Sequence, residues 1–152
     1  MKTLVIGLGS IGRRHAANAL ALGSEVALVR RGKSNVEKQS AFLREHALPC
    51  FYDLREALRE WSPHAVIVAN PTAFHLEAAR EVLRYSAAHL FIEKPIAHEL
   101  RGVSPFLKAA EKAGRIVAVG YHFRHHPQMK KMNALIDSGA LGKIFYARFT
   151  TG

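Results

Sequence analysis

The apolar positions of this chain fall in short solid runs, separated by longer stretches in which they recur at helical intervals. TLVIG at 3–7, EVALV at 25–29, Pro49 to Tyr52, AVIVA at 65–69, HLFIE at 89–93 and RIVAVG at 115–120 are too short for helices and rich in β-formers, so they predict six strands. The Ala- and Leu-rich stretch from Ile11 to Leu22 predicts a helix with Gly23 as its C-cap. Ser34 and Glu37 have capping-box spacing and predict a helix running to about His46; Asp53 and Glu56 repeat the signal ahead of Leu54, Ala57, Leu58 and Trp61. Further helices are predicted from Pro71-Thr72 to about Tyr85, and between His98 and Ala113 with Ser104 as candidate cap and Pro105 in the first turn. A last helix carries the stripe Met129, Met132, Leu135 and Ile136 and stops at Gly139. KIFYARF at 143–149 alternates with period two and predicts a seventh strand.

Strands alternating with helices imply parallel pairing through right-handed crossovers, and solid apolar strands imply a sheet covered on both faces. The expected fold is therefore α/β, a doubly wound parallel sheet of the Rossmann type with six strands. The seventh strand differs in pattern and follows a break at Gly139 and Gly142. It reads as the first strand of a second α/β domain, which gives a dinucleotide-binding domain at 1–140 and the start of a truncated C-terminal domain at 141–152.

Composition narrows the setting. No apolar run reaches the ~18 residues that would span a membrane, and the N-terminus lacks a signal-peptide core. Cys50 is the sole cysteine, which excludes an internal disulfide and a thiolate metal cluster and fits a cytoplasmic home. Lys and Arg number 22 against 12 Asp and Glu, a formal charge of +10, which favours an anionic partner. The basic residues are scattered in pairs such as Arg13-Arg14 and Lys130-Lys131. That distribution favours local anion contacts over a specific nucleic-acid face, and no nucleic-acid-binding signature is present.

Gly7-Leu8-Gly9-Ser10-Ile11-Gly12 is G-x-G-x-x-G, set directly after the first strand and opening a helix. That context makes the pattern informative for a dinucleotide. Gly7 permits the tight turn, Gly9 lets the backbone approach a diphosphate, and Gly12 lets helix and strand pack closely. The amides at Ser10, Ile11 and Gly12 supply donors at the positive end of the helix. An acidic residue at the end of the second strand would bind the ribose hydroxyls of NAD. Arg30 stands there instead, followed by Arg31 and Ser34. Guanidinium groups and a hydroxyl suit a 2′-phosphate, so NADP is favoured over NAD; stacking of Arg30 on adenine is the other reading.

Three segments follow strand ends on the ligand-binding edge of such a sheet: Asn70-Pro71-Thr72, Glu93-Lys94-Pro95, and Tyr121 through Arg124. An ammonium there would stabilise alkoxide-like charge during hydride transfer, which makes Lys94 the candidate catalytic residue. Glu93 either holds that ammonium or pairs elsewhere, and a cis Lys94–Pro95 bond is an open alternative. His75 either touches the nicotinamide side or is structural. His122, His125 and His126 lack a carboxylate or cysteine to complete a metal site, so no metal is expected.

These segments give the sequence a resemblance to the glucose–fructose oxidoreductase/inositol dehydrogenase (Gfo/Idh/MocA) family. It is carried by GLGSIG at 7–12, NPTAFH at 70–75, EKP at 93–95 and VGYHFRHHP at 119–127, in family order along the whole chain. The resemblance implies a two-domain oxidoreductase that passes hydride between nicotinamide and a carbinol carbon of a sugar, cyclitol or related small polyol. It implies proton handling by Lys94 near the substrate oxygen, cofactor contacts from Asn70, Pro71, Thr72, His75, Glu93 and Lys94, and Tyr121 and Arg124 on the substrate side. The family's proton-transferring histidine belongs to the C-terminal domain and has no counterpart in this chain, so residues 1–152 alone are expected to bind dinucleotide and turn over little. Arg30 departs from the acidic residue common in the family. A non-catalytic dinucleotide-binding or redox-sensing module is the alternative, and pairing of the last strand in a homo-oligomer is one way to cover it.

Overall fold

The computed structural model describes residues 1–30 and 36–150. Its strands are β1 (Lys2–Ile6), β2 (Glu25–Val29), β3 (Cys50–Phe51), β4 (Ala65–Val68), β5 (His89–Ile92) and β6 (Val117–Val119). Its helices are α1 (Ser10–Ala21), α2 (Val36–Glu45), α3 (Leu54–Trp61), α4 (His75–Tyr85), α5 (Val103–Lys112) and α6 (Pro127–Asp137). The chain forms two compact units, Met1–Gly120 and Tyr121–Gly152.

In the first unit the strands lie in the order β3-β2-β1-β4-β5-β6, all in parallel. The central strand β1 pairs Leu4 with Ala27 on one side and with Val66 on the other. Alternation along the strands splits the core in two. Leu4, Ile6, Val66, Val68, Leu90 and Ile92 face α3, α4 and α5 through Leu58, Val82 and Phe106. Val5, Val26 and Leu28 face α1 through Ala16 and Ala19, with Phe42 and Leu43 of α2 packed alongside. Winding from β1 outward to β3, then back to β4 beside β1, opens a crevice at the carboxyl ends of β1 and β4, where doubly wound sheets bind ligands.

Local signals in the sequence account for the element ends. After α1, Gly23 takes φ 75°; its N–H donates to Leu20 O at 2.8 Å and Ser24 N–H donates to Ala19 O at 3.0 Å, which is the Schellman pattern. Asp53 Oδ1 accepts the Glu56 N–H at 2.8 Å and caps α3. The Ser34–Glu37 capping pair lies outside the described residues.

Three expectations are corrected. Ser104 does not cap α5: the helix starts one residue earlier at Val103, after Gly102 at φ 80°. The segment after β4 first makes a 3-10 turn, Thr72–Phe74, so His75 is the first residue of α4. Residues 143–149 form no strand, because among the described residues no strand pairs with them and an alternating pattern without a ladder does not make one. The second unit instead holds a 3-10 turn, His122–His125, and α6 with Pro127 in its first turn. That helix ends where Gly139, at φ 71°, donates to Ile136 O at 3.1 Å.

Candidate dinucleotide site

The glycine turn is built on backbone that a side chain would block. Gly7 has φ 101° and donates its N–H to Val29 O at 2.8 Å. A Cβ on Gly7 would stand 2.6 Å from Ala69 O, and one on Gly12 would run into Gly7 O. So β1, β4 and α1 meet at closest approach there. Gly9 is different: a Cβ on it would meet nothing within 4 Å. Its missing side chain leaves open space at the N-terminus of α1, where no side chain caps the helix. The helix's hydrogen bonds begin with Arg13 N–H on Gly9 O at 3.1 Å. Amides in the first turn of an uncapped helix, beside a gap, fit a diphosphate.

Across the crevice, Asn70 follows β4 and its Oδ1 is buried without a hydrogen-bond partner among the described residues. Its Nδ2 donates to Phe74 O at 3.4 Å. Ile6, Val29, Leu54, Asn70, Phe74, Glu77 and Ala78 line a small, mostly apolar cleft between the ends of β1 and β2 and the start of α4. An unpaired acceptor beside an apolar slot suits a ring flanked by hydroxyl or amide donors, which is the character of a nucleotide.

Arg30 is buried at the end of β2, 7% exposed, with its guanidinium 5.5 Å from the centre of the Tyr52 ring. Its N–H donates to Phe51 O at 3.1 Å. The neighbouring Cys50 thiol is pushed up by burial, an effect Arg30 partly offsets. Arg31 and Ser34 lie outside the described residues.

The Lys94–Pro95 bond is cis and Lys94 is exposed. Glu93 does not hold the ammonium. One carboxylate oxygen lies 2.7 Å from His15 Nε2 on α1, and the other accepts the Lys94 backbone N–H at 3.2 Å. Among the described residues, no carboxylate lies within ion-pair distance of the Lys94 ammonium. Of the two readings of His75, its surroundings match the structural one: its ring is 2% exposed, and Nδ1 and Nε2 each lie 2.8 Å from a backbone carbonyl, of Pro95 and Asn70 respectively.

The first unit thus gathers the glycine turn, Arg30, Asn70-Pro71-Thr72 and Glu93-Lys94 at the carboxyl ends of β1, β2, β4 and β5. Tyr121 and Arg124 belong to the second unit, at and within its 3-10 turn. His15 was not singled out from the sequence. The signal was available, since it shares a helical face with Gly12, Ala16 and Ala19, the buried positions of α1. Among the described residues, no three His, Cys, Asp or Glu side chains group as metal ligands, and no helix is long and apolar enough to cross a membrane.

Fold and site together define a Rossmann-type dinucleotide-binding domain. Residues 1–121 match the family described as an oxidoreductase family with an NAD-binding Rossmann fold, and the chain belongs to that Gfo/Idh/MocA family. It is 26% identical over 155 residues to myo-inositol 2-dehydrogenase of Thermotoga maritima, covering 99% of this chain and 45% of that protein. It is 28% identical over 130 residues to UDP-N-acetylglucosamine 3-dehydrogenase of Acidithiobacillus ferrooxidans, covering 86% and 40%; a solved structure of that enzyme superposes with a TM-score of 0.76 over 88% of this chain and 42% of that one, at 26% identity. The WlbA dehydrogenase of Bordetella pertussis, solved with NADH and UDP-GlcNAcA, shares the fold at a TM-score of 0.83 and 23% identity, over 95% and 45%. The chain spans less than half the length of the curated relatives it matches.

Proposed function

We propose that this chain is the cofactor-binding half of an oxidoreductase that moves hydride between a nicotinamide, NADP in preference to NAD, and a sugar- or cyclitol-like alcohol or ketone. The observation that carries the reading is the pairing of an open, uncapped glycine turn at Gly9 with an unpaired ammonium at Lys94 on the same sheet edge. The inositol and nucleotide-sugar dehydrogenases among its relatives support the substrate class.

Each residue has a role in this reading. The backbone at Gly7, Gly9, Ser10, Ile11 and Gly12 binds the diphosphate. Arg30 takes the 2′-phosphate with Arg31 and Ser34, its guanidinium steadied over Tyr52. Asn70, Pro71 and Thr72 line the path between the two ends of the dinucleotide, and Glu93 sets the turn that presents Lys94. The nicotinamide, when bound, accepts or supplies the hydride. Lys94 stabilises the negative charge that builds on the substrate oxygen and exchanges its proton. Tyr121 and Arg124 serve the substrate side. Residues 1–140 form the dinucleotide domain and 141–152 begin a second domain that completes the substrate pocket, so the 1–152 chain binds cofactor with little or no turnover. The setting is cytoplasmic.

Titration of the chain with NADP(H) and NAD(H) tests the assignment. NADP(H) is expected to bind about tenfold more tightly, in line with ~1.5–3 kcal/mol for a charge-assisted hydrogen bond, and Arg30→Asp to reverse the order. Equal affinities remove the 2′-phosphate assignment, and no binding of either removes the function. In a form carrying the second domain, Lys94→Ala is expected to lower kcat by about 100-fold or more with cofactor affinity little changed; an unchanged kcat ends the catalytic role.

A further inference from the structure

The side chain of Asn70 has a fixed orientation and an unused acceptor. Its Nδ2 donates to Phe74 O at 3.4 Å. A backbone carbonyl only accepts, so the amide nitrogen takes that side and Oδ1 the other. Oδ1 is buried without a hydrogen-bond partner among the described residues, a costly state until a donor arrives. Asn70 shares its cleft with Val29, Leu54 and Phe74, so the acceptor is set among mostly apolar walls. Glu77 lines the same cleft and adds acceptor character, not a donor. Phe74 stays 47% exposed beside it, an aromatic ring suited to a flat base.

We infer, resting on the dinucleotide role proposed for this crevice, that Asn70 selects the purine of the cofactor. Its Oδ1 accepts a hydrogen bond from the exocyclic amine of adenine, and the site rejects a base that carries a carbonyl at that position. Placement favours the base over the other donors of a dinucleotide. Val29 precedes Arg30, and Leu54 opens α3 two residues after Tyr52, over which the Arg30 guanidinium lies. The cleft is therefore at the end of the crevice assigned to the 2′-phosphate. Lys94 follows β5, which the sheet order sets two strands from β1 on the opposite side to β2. A ribose would turn several hydroxyls toward apolar walls, whereas the edge of adenine brings one amine on a flat ring. Hypoxanthine would set its carbonyl oxygen against Oδ1, two acceptors with no hydrogen between them, with acidic Glu77 alongside.

The test compares the adenine cofactor with its deaminated form, in which hypoxanthine replaces adenine and the rest of the molecule is unchanged. Both are titrated into the 1–152 chain, once as NADP(H) and once as NAD(H), so the choice between those two does not enter. The adenine form is expected to bind about tenfold or more tightly in each series. Equal affinities overturn the inference and leave the dinucleotide role standing; failure of every form to bind removes both. Asn70→Leu keeps the volume and loses the acceptor, and is expected to bring the two forms within about twofold of each other. A preference for adenine that survives in Asn70→Leu overturns the assignment to Asn70. A second reading needs no variant: cofactor labelled with nitrogen-15 in the exocyclic amine is bound to the parent chain and followed by NMR. One amine proton is expected to move downfield and exchange slowly on binding, and unchanged amine protons overturn the hydrogen bond.

Discussion

His15 Nε2 lies 2.7 Å from Glu93 Oε1, so the helix that opens at the glycine turn is fastened to the residue before Lys94. The second carboxylate oxygen of Glu93 accepts the Lys94 N–H at 3.2 Å, and the His15 ring packs edge-on against Phe91 at 5.3 Å. One side chain thus joins the helix that follows the glycine turn to the turn that carries Lys94. Both members are largely buried, at 18% and 13% exposure, so their hydrogen bond is worth more than an exposed one. Glu93→Ala is expected to lower unfolding free energy by about 1–3 kcal/mol, because it strips a charge-assisted acceptor and leaves the His15 ring and the Lys94 N–H unserved. Glu93→Gln keeps an acceptor and is expected to lose less. Urea unfolding of the three proteins measures this, and equal midpoints would show that the contact carries no stability.

Two glycines of one motif are expected to fail differently. At Gly12 an added Cβ runs into Gly7 O, backbone that cannot swing away, so Gly12→Ala is expected to cost about 3 kcal/mol or to prevent folding. Gly9 has φ −66° and ψ −177°, which any residue adopts, and open space around it. Gly9→Ala is expected to cost only about 1 kcal/mol as an N-cap change, yet to weaken dinucleotide binding about tenfold or more, since the methyl fills the place the diphosphate would take. Thermal melting and cofactor titration on the same samples separate the two effects. A Gly9→Ala chain that binds as tightly as the parent would place the diphosphate elsewhere.

The α3 cap offers a smaller test. Asp53 Oδ1 accepts the Glu56 N–H at 2.8 Å, and a carboxylate there also suits the positive end of the helix. Asp53→Ala is expected to destabilise by about 1 kcal/mol, and Asp53→Asn by a fraction of that. Denaturant midpoints check it, and an Asn variant as damaged as the Ala variant would argue that charge, not capping geometry, is what Asp53 supplies.

Much of this fold was legible because each signal in it is local. Five-residue apolar runs such as TLVIG can satisfy themselves only inside a two-sided sheet, and Gly23 and Asp53 mark helix ends through chemistry confined to a few residues. The glycine turn was legible for the same reason. What stayed hidden depends on partners distant in sequence. His15 and Glu93 stand 78 residues apart, and nothing in either's neighbourhood names the other. His75 reads as a first-turn helix residue until the fold brings Pro95 O to it. KIFYARF shows the reverse failure: its alternation is a sound local signal, but a strand exists only with a neighbour, and among the described residues it has none.

Cys50 and Arg30 give a prediction in pH. Burial is the larger influence on the Cys50 thiol and raises it above its ordinary 9.0, while the Arg30 charge lowers it in part. Folding therefore favours the protonated thiol. Below 9.0 the thiol is protonated in both the folded and unfolded chain; as pH rises past 9.0 the unfolded chain releases the proton first, and stability falls until the folded thiol also ionises. Cys50→Ala is expected to flatten that alkaline decline without changing stability trends at neutral pH. Arg30→Met removes the charge that opposes burial, so the thiol is expected to rise further and to react more slowly with an alkylating reagent just below pH 9.0. Unfolding midpoints across the alkaline range and alkylation rates of the folded chain measure the two halves. Faster alkylation in Arg30→Met would mean that Arg30 shields the thiol from reagent more than it acidifies it.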